Sequence, residues 1–499
     1  MNVQNEKNRT TGSRLLSLLL LCSAAALPCL ATACGDIAAV SENAQTQALQ
    51  TQTVETEAET EAVVRDDLPE MDYGGFDFGI FTRINTTHYQ FVAEEQNADV
   101  LNDAIFLRNS RIAERFNIKF SEMEYETETD AEKLVLAGDN TYSLMNVRCT
   151  AANNMAQKGY TLDISALDHI DFNKPYWDKE LTESISIAGK EYVAIGSSNL
   201  TAVDFMTVLL YNKKLAEDYD LPNLYSLVRD GKWTFDKYRE LGMAVLSDLN
   251  GDGVMNENDQ WGMLGASKFL HISLLLAGDV LMFNKDSEGY PQYTIPTDNR
   301  FAEVFNKVFD VCNDSGAWYK TSDTTNEAVL YHDMFRAGQG LFLTTIFYYL
   351  ETMRDMKQEF GILPFPKYSE AQEKYRNRIS FYDATVVPVS AKDTECSAII
   401  LEALNCESYN SVVPAYYEIA LKNKYTRDAD SAEMIDLIMN TRVLDIGDTY
   451  YQEDIRDGFV ANLFINNKRD LVSAAEKKVK AMQKKLDKLH EAYEELKNN

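Results

Sequence analysis

From residue 72 onward, short apolar runs alternate with longer stretches of helical spacing. FDFGIF (Phe76–Phe81) reads as a short buried strand. VLNDAIFLRNSRIAERF then places Ile105, Ile112 and Ala113 on one face among charges, the pattern of an amphipathic helix, and NIKFSEMEY returns to strand. The pattern repeats with a helix near 131–137, a strand YSLMNV at 142–147 and a helix near 151–159. Strand–helix–strand alternation argues for an α/β unit with a largely parallel sheet. ISIAGKEYVAI reads as a hairpin turning at Gly189, and 205–222 as a strand running into a helix. A further helix starts in GKWTFDKYRELGMAVLSDL, with Thr234 as N-cap and Tyr238 and Leu241 on its apolar face. LFLTTI (341–346), FGILPFP (360–366) and ATVVPVSA read as later strands, and TECSAIILEALNC as a helix.

The C-terminal stretch differs from the rest. Ala475, Val479, Met482, Leu486, Leu489, Tyr493 and Leu496 recur at spacings of four and three, with Lys and Glu between. This fits a short coiled-coil seam. It fits better a long amphipathic helix lying on its own domain, so a monomer is expected.

The first residues change the picture of location. Lys7, Arg9 and Arg14 precede an apolar run from Leu15 to Ala33, which reads as an export signal over 1–33. Its length also suits a single anchoring helix, but Pro28 and the small residues before Cys34 favour cleavage. Ala-Thr-Ala-Cys resembles a lipoprotein cleavage site, with Cys34 the lipidated residue of a protein held on the outer face of the cell membrane. Residues 34–71, rich in Thr, Gln, Glu and Ala, read as a disordered tether. The formal net charge of −30 over 499 residues disfavours nucleic-acid binding. Cys149, Cys312, Cys396 and Cys406 are too sparse for a disulfide scaffold and read as buried thiols.

DLNGDGVMNEND (248–259) carries the most explicit chemistry. Asp248, Asn250 and Asp252 bring oxygens from alternate positions, and Gly253 permits a sharp turn. Val254 offers its carbonyl, Asn256 binds directly or through water, and Asp259 stands where a longer Glu is usual. The expectation is a structural Ca²⁺, with an Asn/Gly-rich surface turn as the alternative. One loop in mid-chain suits a staple better than a sensor or a docking module. Nucleophile-elbow, P-loop, zinc-protease and dinucleotide motifs do not occur, and the five histidines show no metal spacing.

Several segments together carry a resemblance: YGGFDFGIF, LNDAIFLRN…IAERFNIKF, AGDNTYSLMNV, KPYWDKEL…SIAGKEYVAIG, VLLYNKKLAEDYDLP, GKWTFDKY and FGILPFPKYSEAQEKY. In this order the chain resembles an extracellular solute-binding protein of a bacterial ABC importer, of the sugar-binding type related to maltose-binding protein. It departs at Tyr176, where a second Trp is frequent. The resemblance implies an α/β, periplasmic-binding-protein-like (type II) fold with two lobes, a hinge and a central ligand cleft. It implies a first lobe of 72–206 and 341–391 and a second of 207–340 and 392–499. It further implies a non-enzymatic receptor that hands a carbohydrate, an oligosaccharide in this reading, to a membrane permease. A secreted carbohydrate-active enzyme and a calcium-dependent docking or adhesion protein are the alternatives.

Ligands in such folds lie beyond the carboxyl ends of the strands. That rule selects Thr82, Arg83, Asn85 and Thr86, then Arg148 and Cys149, then Asp204 at the crossover. It also selects Phe347, Tyr348 and Tyr349, then Phe381, Tyr382 and Asp383. Tyr348 and Tyr349 fall near a stacking aromatic of the maltose-binding relatives, and Phe269 and His271 near another cleft segment. Trp177 and Trp318 are further candidates. Aromatic faces for the C–H side of a sugar ring, with Arg, amide and carboxylate groups for its hydroxyl rim, are the chemistry such a site needs.

Overall fold

The computed structural model describes residues 63–83, 91–125, 127, 129–321, 327–353, 355–417 and 428–497. The export signal, Cys34, most of the proposed tether, Asn85 and Thr86 therefore lie outside the described residues. The strands run in chain order β1 (Phe76–Arg83), β2 (Ile118–Tyr125), β3 (Tyr142–Arg148), β4 (Thr207–Asn212), β5 (Trp261–Leu264) and β6 (Phe283–Lys285). They continue as β7 (Pro291–Tyr293), β8 (Gly340–Ile346), β9 (Phe360–Leu363), β10 (Asn377–Arg378), β11 (Asp383–Val386) and β12 (Arg442–Val443).

Two four-stranded sheets define the two lobes. The first has the order β11-β3-β1-β2, with β1 parallel to β2 and β3, and β11 antiparallel to β3. Central β1 buries most of its length because the sheet is covered on both faces. Gly79 in β1 is required by close approach, since a Cβ there would lie 2.3 Å from the Thr141 carbonyl oxygen. The helix Val100–Phe116 packs its Leu101, Ile105, Ile112 and Phe116 inward, capped by Asp99. The second sheet is mixed, with the order β5-β8-β4-β9. There β4 runs antiparallel to β8 and β9, while β5 is parallel to β8. Thr234 caps the helix Phe235–Ala244 as expected, and Tyr238 and Leu241 are buried.

Three placements differ from the sequence reading. β8 and β9 pair with β4, so 340–363 belongs to the second lobe's sheet, not the first. Conversely, the helix Thr394–Glu407 packs against β3 and the helix Val100–Phe116, so it covers the first lobe. Periodicity identifies a buried element but not which sheet it joins, and both errors arise there. The third concerns 63–71, assigned to the tether. Asp66 accepts two hydrogen bonds from Arg115 at 2.8 and 2.9 Å, and Asn410 exchanges two with Val64 at 3.1 and 2.8 Å. Val64, Leu68 and Met71 add apolar contact to the first lobe.

The chain crosses between lobes at Phe205–Thr207 and returns at Arg378–Asp383. These strands lie side by side: Met206 bridges Ile379, and Ser380 N–H donates to the Phe205 carbonyl at 2.9 Å. Beneath the return, buried Arg378 donates twice to Asp448 at 2.5 and 2.7 Å. The C-terminal helix Val479–Lys497 buries Met482, Leu486, Leu489 and Tyr493 in this chain's own core. The four cysteines are buried and unpaired. Among the described residues, no helix is long and apolar enough to cross a membrane.

Candidate functional site

A cavity of about 330 Å³ opens where the two lobes face each other. The first lobe contributes Arg83 from the end of β1 and Arg148 from the end of β3. The crossing segments contribute Phe205, Ser380 and Phe381. The second lobe contributes Lys268 and Phe269 from the start of the helix Ser267–Ala277, and Tyr348 and Tyr349 after β8. Gln452 and Arg456, from the π-type helix Gln452–Ala461, close the wall. A second cavity of about 420 Å³ adjoins it, sharing Arg148 and Gln452 and adding Asn153, Tyr450, Asp454 and Lys485 among others.

The lining is built from aromatic rings and cations. The Arg83 and Arg148 guanidinium carbons stand 5.2 and 5.0 Å from the centroid of the Phe381 ring, within cation–π range. Phe205 meets Phe381 edge-on at 4.4 Å and lies nearly parallel to Tyr348 at 6.0 Å. Tyr349 is edge-on to Tyr348 at 5.2 Å and rests on His332. The side chains behind the wall hold these groups still. Arg83 donates to buried Asp383 at 3.3 Å. Arg456 forms a two-bond fork to Asp457 at 2.8 Å each and donates to the Ser380 carbonyl at 3.2 Å. That carbonyl contact ties the second lobe to the return strand. Burial works against the charge of Asp457, but the hydrogen bond from Arg456 keeps its carboxyl below the usual range.

Of the residues chosen from sequence, Arg83, Arg148, Phe269, Tyr348, Tyr349 and Phe381 come together at this cavity. Asp383 stands directly behind, as the partner of Arg83. The other described residues among them are placed elsewhere. Trp177 Nε1 donates to Glu402 at 2.8 Å and Tyr176 Oη to the same carboxylate at 2.6 Å, so this pair of aromatics braces the first lobe. Trp177 lines a separate groove of about 440 Å³. His271 is buried between Trp318 and Phe464, at ring distances of 4.5 and 4.3 Å, and burial pushes its pKa down to about 3. It is a neutral core residue. Trp318 donates to the Gly265 carbonyl at 2.9 Å. Phe347 and Tyr382 are core, and Asp204 is buried with one oxygen accepting from Tyr416 at 2.5 Å. Lys268, Gln452 and Arg456 fall outside the rule because they sit on helices rather than after strands, and Phe205 and Ser380 because they precede the positions the rule selects.

The loop 248–259 forms the expected turn, with Gly251 and Gly253 at φ +72° and +79°. Its carboxylates serve its own backbone. Asp248 accepts from Gly251 and Gly253 N–H at 2.7 Å each, and Asp259 from Leu249 and Asn256 N–H at 3.0 and 2.7 Å. The Gly253 amide holds the Asp248 carboxyl below its ordinary range. The all-oxygen donor set suits Ca²⁺ in chemistry. In arrangement it falls short: the Val254 carbonyl accepts from the Asn256 amide at 2.9 Å, and among the described residues no three acidic side chains close on a common metal position.

No protein-family model and no curated protein matches the chain by sequence. Solved structures do match. The ABC substrate-binding protein of Listeria monocytogenes in complex with cycloalternan is 14% identical with a TM-score of 0.53, over 83% of this chain and 99% of its own. A sugar transporter from Rhizobium etli in an open conformation is 13% identical with a TM-score of 0.57, over 82% and 99%. A family 1 extracellular solute-binding protein from Bifidobacterium longum subsp. infantis is 15% identical with a TM-score of 0.54, over 81% and 99%. The chain has the two-lobe, periplasmic-binding-protein-like fold of the sugar-binding ABC solute-binding proteins.

Proposed function

We propose that this chain is the substrate-binding receptor of an ABC importer, that it captures a saccharide between its lobes, and that it delivers it to a membrane permease. The observation that carries the reading is the interlobe cavity at the ends of β1, β3 and β8, walled by half-buried aromatic rings and guanidinium groups. A sugar ring offers an apolar face to Tyr348, Phe269 or Phe205 and a hydroxyl rim to arginine and amide groups. The two adjoining cavities, about 330 and 420 Å³, together suit an oligosaccharide better than one ring.

The apolar segment before Cys34 supports export and lipid anchoring on the outer face of the membrane. The loop 248–259 is proposed as a brace of the second lobe, closed by its own amides, whose carboxylates would have to exchange those amides for Ca²⁺ to bind the ion, and which serves stability, not ligand contact. Trp261 Nε1 donates to the Asn256 carbonyl at 2.8 Å and so couples the loop to β5.

A thermal-shift screen of the purified protein against an oligosaccharide panel tests the reading. A ligand at about a hundred times its Kd adds about 2.7 kcal/mol to stability, enough to raise Tm measurably. Tyr348→Ala should weaken that ligand by about tenfold, as loss of one stacked ring implies, with Tm of the free protein little changed. No shift with any saccharide would sink the proposal.

A further inference from the structure

Three helices begin at the interlobe cavity, and none of the three has a side-chain cap. Cys149–Gln157 starts after Arg148, Ser267–Ala277 carries Lys268 in its first turn, and Gln452–Ala461 starts on Gln452. Elsewhere Asp99, Asp178, Thr234, Asp298 and Asp393 accept from the first-turn amides of their helices. A helix's first turn holds N–H groups without intrahelical partners and the positive end of its dipole. Two such ends, at Cys149 and Ser267, stand with the side chains of Arg83, Arg148, Lys268 and Arg456, while Glu453 and Asp454 in the first turn of Gln452–Ala461 offset the third. Asp383 offsets Arg83, and Asp457 and Asp448 offset Arg456, whereas Lys268 feels Asp457 and Glu327 only at longer range. This basic cavity sits in a chain of net charge −30, so its sign is local and opposes the surface around it. A neutral sugar needs none of it.

The adjoining cavity supplies an independent sign of a polar ligand. Asn153 is only 3% exposed, lines that cavity, and its Oδ1 has no hydrogen-bond partner. A buried amide oxygen left unpaired costs stability, which a ligand hydroxyl would recover.

We infer that the saccharide bound here is acidic, with a carboxylate or sulfate group held by Lys268, Arg148 and the helix starts, and a hydroxyl donated to Asn153. The inference rests on the saccharide reading of the cleft. The local field of these cations favours an anionic group on the ligand. A sugar ring against Tyr348 and Phe269 accounts for the aromatic wall.

The test is isothermal titration of the whole protein with three probes: a galacturonic-acid trimer, a sulfated chondroitin-type oligosaccharide and neutral maltotriose. The expected result is at least about tenfold tighter binding of one acidic probe, weakened as NaCl rises from about 50 to about 500 mM. Which acidic probe binds separates carboxylate from sulfate. Lys268→Gln, at an exposed position, should cost the acidic probe about tenfold, with Arg148→Gln as the second variant. Tighter binding of maltotriose, or an acidic probe indifferent to salt and to both substitutions, would overturn the acidic assignment and leave the saccharide reading standing. Failure of all three probes, together with a blank wider panel, would overturn the saccharide reading itself.

Discussion

Asp204 shows how a residue chosen for one reason turns out to matter for another. Its place at the crossover suggested ligand contact. The fold instead buries it to 1% exposure, with one oxygen bonded to Tyr416 and the other without a partner. Burial pushes its pKa up to about 7. The folded protein therefore holds a proton on Asp204 between about pH 4 and 7 that the unfolded chain has released, so this group's contribution to stability falls as pH rises through that window. His271 and His332 act in the opposite sense, because burial lowers them to about 3 and 4, so acid below about pH 6.5 favours the unfolded chain at both. Asp204→Asn isolates one term. It should make the slope of stability against pH more positive than in the wild type between about pH 5 and 7, by up to about 1.4 kcal/mol per pH unit. Urea melts across that range measure it, and identical slopes would refute the assignment. The same contrast limits what sequence reveals about sites. Tyr348 and Tyr382 both follow strands and look alike in sequence, yet one is half-buried at the cavity and the other fully enclosed.

At the level of elements, the C-terminal helix was legible as an amphipathic stripe, and its apolar residues Met482, Leu486, Leu489 and Tyr493 pack into this chain's own core. Leu489, buried against the second lobe's core, should cost about 2–5 kcal/mol when changed to Ala. Chemical denaturation reads that loss, and a change below about 0.5 kcal/mol would mean the face is not packed as described. The loop 248–259 makes the opposite case: its turn chemistry was legible, its occupancy was not. A Ca²⁺ brace predicts that added Ca²⁺ raises Tm, that chelator lowers it, that Asp248→Asn removes the response, and that saccharide affinity is unchanged by all three. A Tm indifferent to Ca²⁺ would leave a loop closed by its own amides.

For the whole molecule, the first sheet could be read from β-α-β alternation because its parallel strands follow closely in sequence. The second could not, since β8 and β9 return to β4 across more than a hundred residues, and local pattern carries no record of such pairing. The cavity was half legible for a related reason. The strand-end rule reached Arg83, Arg148, Tyr348 and Phe381, but Lys268, Gln452 and Arg456 arrive on helices placed by tertiary packing alone. The proposed function requires ligand to sit between the lobes at these residues. The direct test is a crystal structure of the protein with the tightest-binding saccharide of the panel. Sugar density is expected between Arg148 and Tyr348, with an acidic group beside Lys268. Density confined to the Trp177 groove, with the interlobe cavity holding only solvent, would contradict it.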